Sequence, residues 1–148
     1  MFNRILVVCV GNICRSPMAV GLFINALHTT GVENIEVRSA GLDALVGHSA
    51  DKIAQRLLQQ KGIDISAHRA HQLNRDLMRW ADLVLVMEKI QLASVEYWDP
   101  IAKGKVYRLG EWSDFDVPDP YRKPDEVFEN VLGLISKGVA DWIKKLKE

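Results

Sequence analysis

One short segment near the N-terminus constrains the fold of this chain more than any other. Residues 9–17 have the sequence Cys-Val-Gly-Asn-Ile-Cys-Arg-Ser-Pro, and an apolar run at residues 5–8 directly precedes them. Ser16 and Pro17 suit the N-cap and the first position of a helix. Beyond them, apolar residues recur with the period of one helix face, at Ala19, Leu22, Phe23, Ala26 and Leu27. The sequence therefore predicts a loop that joins a buried strand to a helix.

This loop, residues 9–16, contains residue types that suit phosphate binding, and we call it the phosphate loop. Backbone N–H groups in a glycine-containing loop form an anion site, to which a helix N-terminus adds partial positive charge. Arg15 offers a planar guanidinium that matches two phosphate oxygens, and the same positive surroundings favour the nucleophilic thiolate of Cys9. The alternative is a small apolar cysteine that ends a core strand. The remaining loop residues expected around the anion are Val10, Gly11, Asn12, Ile13, Cys14 and Ser16.

The composition of the 148-residue chain is typical of a single globular domain, residues 1–148. Its 19 basic residues balance 19 acidic ones, so no overall charge favours nucleic acid as a partner. No segment approaches the roughly 18 apolar residues of a membrane span, which argues against membrane insertion. The two cysteines lie close together in one loop, unlike a secreted disulfide framework, and the expected compartment is the cytoplasm.

The rest of the chain alternates between strand and helix patterns. Further strands are predicted at residues 35–41, 83–87 and 105–109. A helix is predicted to open at Ser49 and Asp51 and to stop at Gly62, and other helices at residues 75–80, 88–97 and 124–146. This alternation is typical of an α/β domain with a four-stranded parallel sheet, helices on both faces and the phosphate loop between the first strand and first helix. The functional site is expected at the C-terminal ends of the strands, where Cys9 falls.

A candidate proton donor lies in the longest irregular stretch, residues 110–123. Displacement of an oxygen leaving group from phosphorus is helped by a positioned acid, because the leaving oxygen accumulates negative charge. Asp119 is the best candidate, since prolines on both sides stiffen it and Tyr121 beside it offers an aromatic wall. An ordinary aspartate in a proline-rich turn is the alternative interpretation.

Residues 9–17 and the later run Asp-Pro-Tyr at residues 119–121 resemble the low-molecular-weight protein tyrosine phosphatases. Residues 42–47 and 118–122 are most similar to the bacterial branch associated with exopolysaccharide and capsule synthesis. One departure from the family pattern is His71, where an arginine is usual. The resemblance covers the chain from about residue 2 to the C-terminus.

The resemblance implies a role for each candidate residue. Cys9 would be the nucleophile that forms a cysteinyl phosphate, Arg15 would hold the phosphate, and Asp119 would be the general acid, with no metal or cofactor. Ser16 would hydrogen-bond the nucleophilic sulfur, and Asn12 would hold the loop in its strained shape. The residues tied to that asparagine would be Ser39 and His68.

Cys14 has a separate expected role in redox protection. Its nearness to Cys9 in the loop permits a reversible disulfide, and the resemblance implies the same pairing. Such a bond would shield the nucleophile from irreversible oxidation. The alternative is a buried structural thiol.

The predicted substrate is a phosphotyrosine protein. Ile13 places a branched apolar side chain at the rim of the loop, where the related phosphoarginine phosphatases have a threonine. Tyr121 on one side and Leu42 or Leu45 on the other are expected to form a slot for a flat phenyl ring. A phosphoserine stem is too short to bring its phosphorus down such a slot. The bacterial-branch resemblance implies a membrane-anchored tyrosine autokinase as the partner.

Two other functions fit parts of the pattern. A thiol-dependent arsenate reductase on the same fold passes a disulfide through further cysteines; this chain has none after Cys14, so an external dithiol would have to take their place. A catalytically silent phosphate-binding module would need neither a nucleophile nor an acid, so the presence of both Cys9 and Asp119 argues against it.

Overall fold

A computed structural model describes residues 2–148 and contains a four-stranded sheet whose pairings are all parallel. The strand order is β2-β1-β3-β4, which confirms the predicted α/β architecture. The strands are β1 (Arg4–Cys9), β2 (Glu36–Gly41), β3 (Leu83–Val86) and β4 (Val106–Arg108). The helices are α1 (Arg15–Thr29), α2 (Lys52–Gln59), α3 (Arg75–Trp80), α4 (Lys89–Trp98) and α5 (Asp125–Leu146), and short 3-10 turns lie at Pro100–Ala102 and Glu111–Ser113.

Helices cover both faces of the sheet because its central strands are apolar on both sides. Ile5 and Val7 of β1 belong to one core cluster with residues of α1, α2 and α5. Leu6 and Val8, which point the opposite way, belong to a second cluster with residues of α3 and α4. Because all four side chains are fully buried, the strand appears in the sequence as an uninterrupted apolar run.

The topology opens a crevice at the C-terminal ends of β1 and β3. The connection from β1 through α1 leads to β2 on one side of β1, and β3 pairs on its other side. In open parallel sheets, ligands bind at such a switch point. Cys9 is the last residue of β1 and lies at this edge, as expected from the sequence.

Two predicted helix starts are wrong in detail. Helix α1 begins at Arg15 with Cys14 at the N-cap, so Ser16 is inside the helix rather than its cap. The hydroxyl of Ser16 is bonded to loop side chains and does not cap the backbone. Helix α2 is capped by Asp51 alone, whose carboxylate accepts the N–H of Ile53 at 2.8 Å.

Across residues 2–148, no helix is both long enough and apolar enough to cross a membrane.

Candidate active site

A cavity of about 200 Å³ lies at the C-terminal edge of the sheet. It brings together the three predicted catalytic residues, although Arg15 and Asp119 lie far apart in the sequence. Its lining consists of Cys9, Val10, Gly11, Ile13, Cys14, Arg15, Asp43, Leu45, Asp119 and Tyr121. The cavity therefore contains a nucleophile, a fixed cation and a carboxyl group within one small volume.

Asn12 gives the phosphate loop its shape. Its φ is +59°, in the left-handed region that asparagine tolerates better than most residues. The side-chain Nδ2 donates to Ser16 Oγ at 2.7 Å and to Ser39 Oγ at 3.0 Å, and the Oδ1 accepts the backbone N–H of His71 at 2.9 Å. The backbone oxygen of Asn12 lies 2.6 Å from Nε2 of His68. These bonds fix a fully buried, strained residue beneath the loop rather than in the cavity.

The network around Asn12 extends to the nucleophile through Ser16. Ser16 Oγ lies 3.0 Å from Cys9 Sγ, and both residues are buried. Because Asn12 donates to this same oxygen, the hydroxyl proton of Ser16 is free to point toward the sulfur. The arrangement therefore supplies a hydrogen bond to a Cys9 thiolate.

His68 is part of the support and is uncharged at neutral pH. Burial above all lowers the pKa of His68, and the positive groups of His71 and Arg69 add to this effect, against the opposing influence of the hydrogen bond to Asn12. A neutral ring with its proton on Nε2 donates to the backbone oxygen of Asn12. The side chain of His71 takes no part in this network, because only its backbone N–H is bonded.

Arg15 is anchored on one side and open to the cavity on the other. Arg15 is 1% exposed. Its Nη1 donates to Glu88 Oε1 at 2.7 Å and to the backbone oxygen of Val117 at 2.9 Å. The Nη2 atom lies 3.7 Å from Asp119 Oδ2. Since Nη1 is committed to these partners, the guanidinium plane is fixed before any anion arrives.

Glu88 is a functional residue that the sequence analysis missed. It lies two residues beyond the end of β3, at the same sheet edge as Cys9, and that placement was the only available signal. Its carboxylate also accepts a hydrogen bond from Nε2 of Gln91 at 3.2 Å and belongs to the capping box of α4. Glu88 therefore couples the position of Arg15 to the start of a helix.

Replacement of Glu88 by glutamine is expected to lower kcat/KM for an aryl phosphate about tenfold to a hundredfold, because a misplaced guanidinium stabilises the transition state less well. The amide is neutral, so the buried Arg15 loses the carboxylate that holds its Nη1 atom. Steady-state kinetics and thermal melting measure the effect. Glu96→Gln, on the same helix, is the matched control and should behave as wild type. Equal kinetics for the two variants would contradict the anchoring role.

Asp119 is positioned by its own local turn. Its Oδ1 accepts the backbone N–H of Tyr121 at 3.0 Å, and the flanking prolines restrict the backbone further. The side chain is 46% exposed, so its carboxyl group reaches both solvent and the cavity. A proton held there faces the site where a leaving group would depart.

The apolar rim is formed by Leu45 and Tyr121 rather than by Leu42. Leu42 packs against the core cluster on the α3 and α4 side of the sheet and does not line the cavity. The segment runs alongside the phosphate loop, since the N–H groups of Leu42, Asp43 and Leu45 donate to backbone oxygens of residues 9, 10 and 11. Asp43 lines the cavity and was not singled out from the sequence.

Cys14 lies in the cavity lining as a protonated thiol. It is 4% exposed, and burial, together with the negative groups of Asp51, Cys9 and Asp119, raises the pKa of the Cys14 thiol far above its usual value. Both cysteines are free in the structure. Cys14 is therefore unsuited to act as the primary nucleophile at neutral pH.

A cysteine held beside a buried arginine, in a loop that precedes the first helix of a parallel sheet, defines the class of phosphatases that use a cysteine nucleophile. A family model described as low molecular weight phosphotyrosine protein phosphatase matches residues 4–148, and the chain belongs to this family. Members of this family are protein-tyrosine phosphatases, so the protein is an enzyme of that kind.

The chain is similar over nearly its whole length to curated relatives and solved structures, two of which are named tyrosine phosphatases and one an arginine phosphatase. A protein of Ralstonia solanacearum named "Probable low molecular weight protein-tyrosine-phosphatase EpsP" is 46% identical over 147 residues, which cover 99% of this chain and 98% of that one. The crystal structure of the tyrosine phosphatase Wzb from Escherichia coli K30, in complex with sulphate, is 39% identical, covers 99% of both chains and has a TM-score of 0.91. The YwlE arginine phosphatase from Geobacillus stearothermophilus is 35% identical, covers 97% of this chain and 92% of its own, and has a TM-score of 0.89.

Proposed function

We propose that the protein hydrolyses phosphotyrosine in proteins through a cysteinyl phosphate, with Cys9, Arg15 and Asp119 as the catalytic residues. The observation that carries this proposal is that all three line one cavity. In it the Cys9 sulfur is hydrogen-bonded to Ser16, and Glu88 anchors the Arg15 guanidinium. Membership of an enzyme family argues against a silent phosphate-binding module. Arsenate reduction would require an external dithiol, since no cysteine follows Cys14.

In the first step the Cys9 thiolate attacks phosphorus in line with the leaving tyrosine oxygen. The S–P bond forms and the P–O bond to the tyrosine breaks, while Asp119 gives its proton to the departing oxygen. Arg15 and the backbone N–H groups of the loop hold the equatorial oxygens of the transferring group. The side chain that donates toward the thiolate before attack is Ser16.

In the second step a water molecule releases the phosphate. Asp119, now a carboxylate, takes a proton from the water as its oxygen attacks phosphorus, and the S–P bond breaks. The electron pair returns to the Cys9 sulfur, where the hydrogen bond from Ser16 stabilises the leaving thiolate. The products are inorganic phosphate and an enzyme with its acid protonated again.

We propose that the rim selects the phenyl ring of phosphotyrosine. Leu45 and Tyr121 form apolar walls, and Ile13, which is 8% exposed, offers no polar group to a guanidinium at the loop. The arginine phosphatase named above shares the fold, so side chains at the rim, rather than the backbone, must separate the two activities.

Comparison of three matched peptides, which carry phosphotyrosine, phosphoserine or phosphoarginine, tests this selectivity. We expect the phosphotyrosine peptide to give the highest kcat/KM, because only its ring fills the slot and brings phosphorus to the nucleophile. A chelator in the assay inactivates any contaminating metal-dependent phosphatase. Equal values for the three peptides would contradict the slot, and preference for phosphoarginine would overturn the substrate assignment.

We propose a membrane-anchored tyrosine autokinase of exopolysaccharide synthesis as the physiological partner, encountered in the cytoplasm. The support is the resemblance of residues 42–47 and 118–122 to the bacterial branch of the family. Release of phosphate from the purified, phosphorylated cytoplasmic part of such a kinase measures this activity. A kinase that keeps its phosphate under conditions where a phosphotyrosine peptide is hydrolysed would exclude it as the partner.

We propose that Cys14 protects the nucleophile during oxidation. Peroxide converts the Cys9 thiolate to a sulfenic acid, and the Cys14 thiol then displaces water from it to form a disulfide that a thiol reductant reopens. We expect Cys14→Ser to lose activity to peroxide irreversibly, whereas the wild-type enzyme recovers with reductant. Recovery of the variant to the same extent as wild type would show that Cys14 has no protective role.

A further inference from the structure

A second and larger cavity, of about 780 Å³, lies beside the edge strand β2. We call it the cationic groove and define it by Arg38, Val46, His68, Arg69, His71 and Leu77 among its lining residues. It adjoins the active-site cavity across the segment of residues 42–47, because Leu45 lines the catalytic cavity and its neighbour Val46 lines the groove. None of the catalytic roles assigned above uses the arginines of this groove.

The charge of the groove is one-sided, although the chain as a whole is neutral. Two arginines, Arg38 and Arg69, line it together with His71 and the neutral His68, and no aspartate or glutamate is among its lining residues. Arg38 is paired with Glu36 at 2.8 Å outside the lining, and its guanidinium lies 4.4 Å from the centre of the Trp80 ring. Arg38 is therefore already paired, and an anionic ligand would be held mainly by Arg69 and the other polar side chains of the groove.

Arg69 is the cation best placed to bind a ligand. Its Nη1 donates to the backbone oxygens of Ser66 and His68 at 3.1 and 2.7 Å, which fixes the direction of the side chain. Within residues 2–148 no carboxylate lies at ion-pair distance from it, so its charge and its other N–H groups remain available. The imidazole of His71, which is not needed for the Asn12 network, lies in the same lining.

The groove also has apolar walls. Val20, Val46, Ala67 and Leu77 contribute to it, next to the cationic side chains. A ligand that carries a ring and an anionic group would contact both parts, whereas inorganic phosphate would use only the cations. Phosphotyrosine has this combination.

We propose that the cationic groove binds a second phosphotyrosine of the same substrate chain while the first occupies the catalytic cavity. This inference rests on the proposed function, because it assumes a phosphotyrosine protein as the substrate. Binding at two points raises the effective concentration of the second contact without new chemistry at the first. The enzyme would thus prefer multiply phosphorylated segments and release them after the second phosphate is lost.

Peptides with one or two phosphotyrosines test the kinetic consequence. A series separates the two phosphotyrosines by about two to eight residues, so that one spacing spans the two cavities. We expect kcat/KM for the best doubly phosphorylated peptide to exceed that for the singly phosphorylated one on the order of tenfold. Arg69→Ala and His71→Gln should each bring this ratio close to one, and Lys61→Ala, a surface cation outside the groove, should preserve it. A ratio that neither variant lowers would overturn the proposal.

A peptide in which glutamate replaces the second phosphotyrosine shows whether the groove recognises phosphotyrosine or negative charge alone. If it matches the doubly phosphorylated peptide, the groove recognises charge alone and the phosphotyrosine assignment is wrong. Because each variant is compared with itself on the singly phosphorylated peptide, a general loss of activity does not alter the ratio. Arg69→Lys, which retains the charge but not the fork of N–H groups, should show an intermediate ratio.

Direct binding keeps this test independent of catalysis. With the catalytic cavity filled by vanadate, phenyl phosphate should shift the backbone amide resonances of Arg69 and His71, and the shifts should be lost in Arg69→Ala. No shift in the wild-type enzyme would overturn the groove. If the enzyme failed to hydrolyse any phosphotyrosine peptide, the proposed function would fail, and the vanadate experiment would still decide whether the groove binds an aryl phosphate.

Discussion

Replacement of Cys9 by serine is expected to abolish turnover of every phosphate ester while leaving phosphate and vanadate binding in place. The loop's N–H groups and Arg15 do not depend on the sulfur, so the anion site persists. A serine hydroxyl is protonated at neutral pH and lacks the nucleophilicity of a thiolate. Loss of the nucleophile removes the covalent route completely.

Two measurements together separate this expectation from simple unfolding. Assay of an aryl phosphate should give no rate above background, and isothermal titration with vanadate or phosphate should still show binding. Thermal melting of Cys9→Ser with and without phosphate supplies a second check, because a bound anion raises the melting temperature of a folded site. Measurable wild-type-like turnover by the variant would refute the cysteinyl-phosphate mechanism.

The regular part of the fold could be predicted from the sequence because its signals are local. The short helix at residues 75–80 was predicted with the same bounds as α3, and the strand at residues 83–87 differs from β3 by one residue. A fully buried strand needs a continuous apolar run, and an amphipathic helix needs a repeated apolar face. Both patterns are carried by neighbouring residues.

The support of the site depends on contacts between distant residues, which local patterns do not encode. Glu88 contacts Arg15 across 73 positions, and nothing in its own neighbourhood indicates that an arginine will lie there. Ser16 shows a different limitation. A serine before proline suits an N-cap. In the structure, however, the Ser16 hydroxyl is hydrogen-bonded to Cys9 and Asn12 and does not cap the helix.

The choice between Leu42 and Leu45 also required the structure. Both are apolar residues of one loop, and only the bonding of that loop along the phosphate loop decides which side chain faces the cavity. Asp43 enters the lining by the same arrangement. Such a loop has no fixed periodicity, so its side-chain directions cannot be predicted from spacing alone.

Replacement of Asp119 is expected to slow hydrolysis of phosphotyrosine about 10²–10⁴-fold, the range that general acid catalysis contributes. Two variants separate its possible roles. Asp119→Asn retains an oxygen that accepts the N–H of Tyr121, so the wall of the slot stays in place and only the proton is lost. Asp119→Ala removes both the acid and this turn, and its additional loss over Asp119→Asn measures the value of positioning Tyr121.

The dependence on the leaving group identifies the proton transfer. A series of aryl phosphates with increasingly acidic phenols should show a steep dependence of kcat/KM in Asp119→Asn and a shallow one in wild type, because a good leaving group does not need the proton. Asp114→Asn removes a carboxylate of the same irregular stretch that pairs with Arg108 instead, and it should follow the wild-type dependence. If Asp119→Asn also gives the wild-type slope on this series, Asp119 does not protonate the leaving oxygen. The acid must then be another group of the cavity, where Asp43 is the remaining carboxylate of the lining.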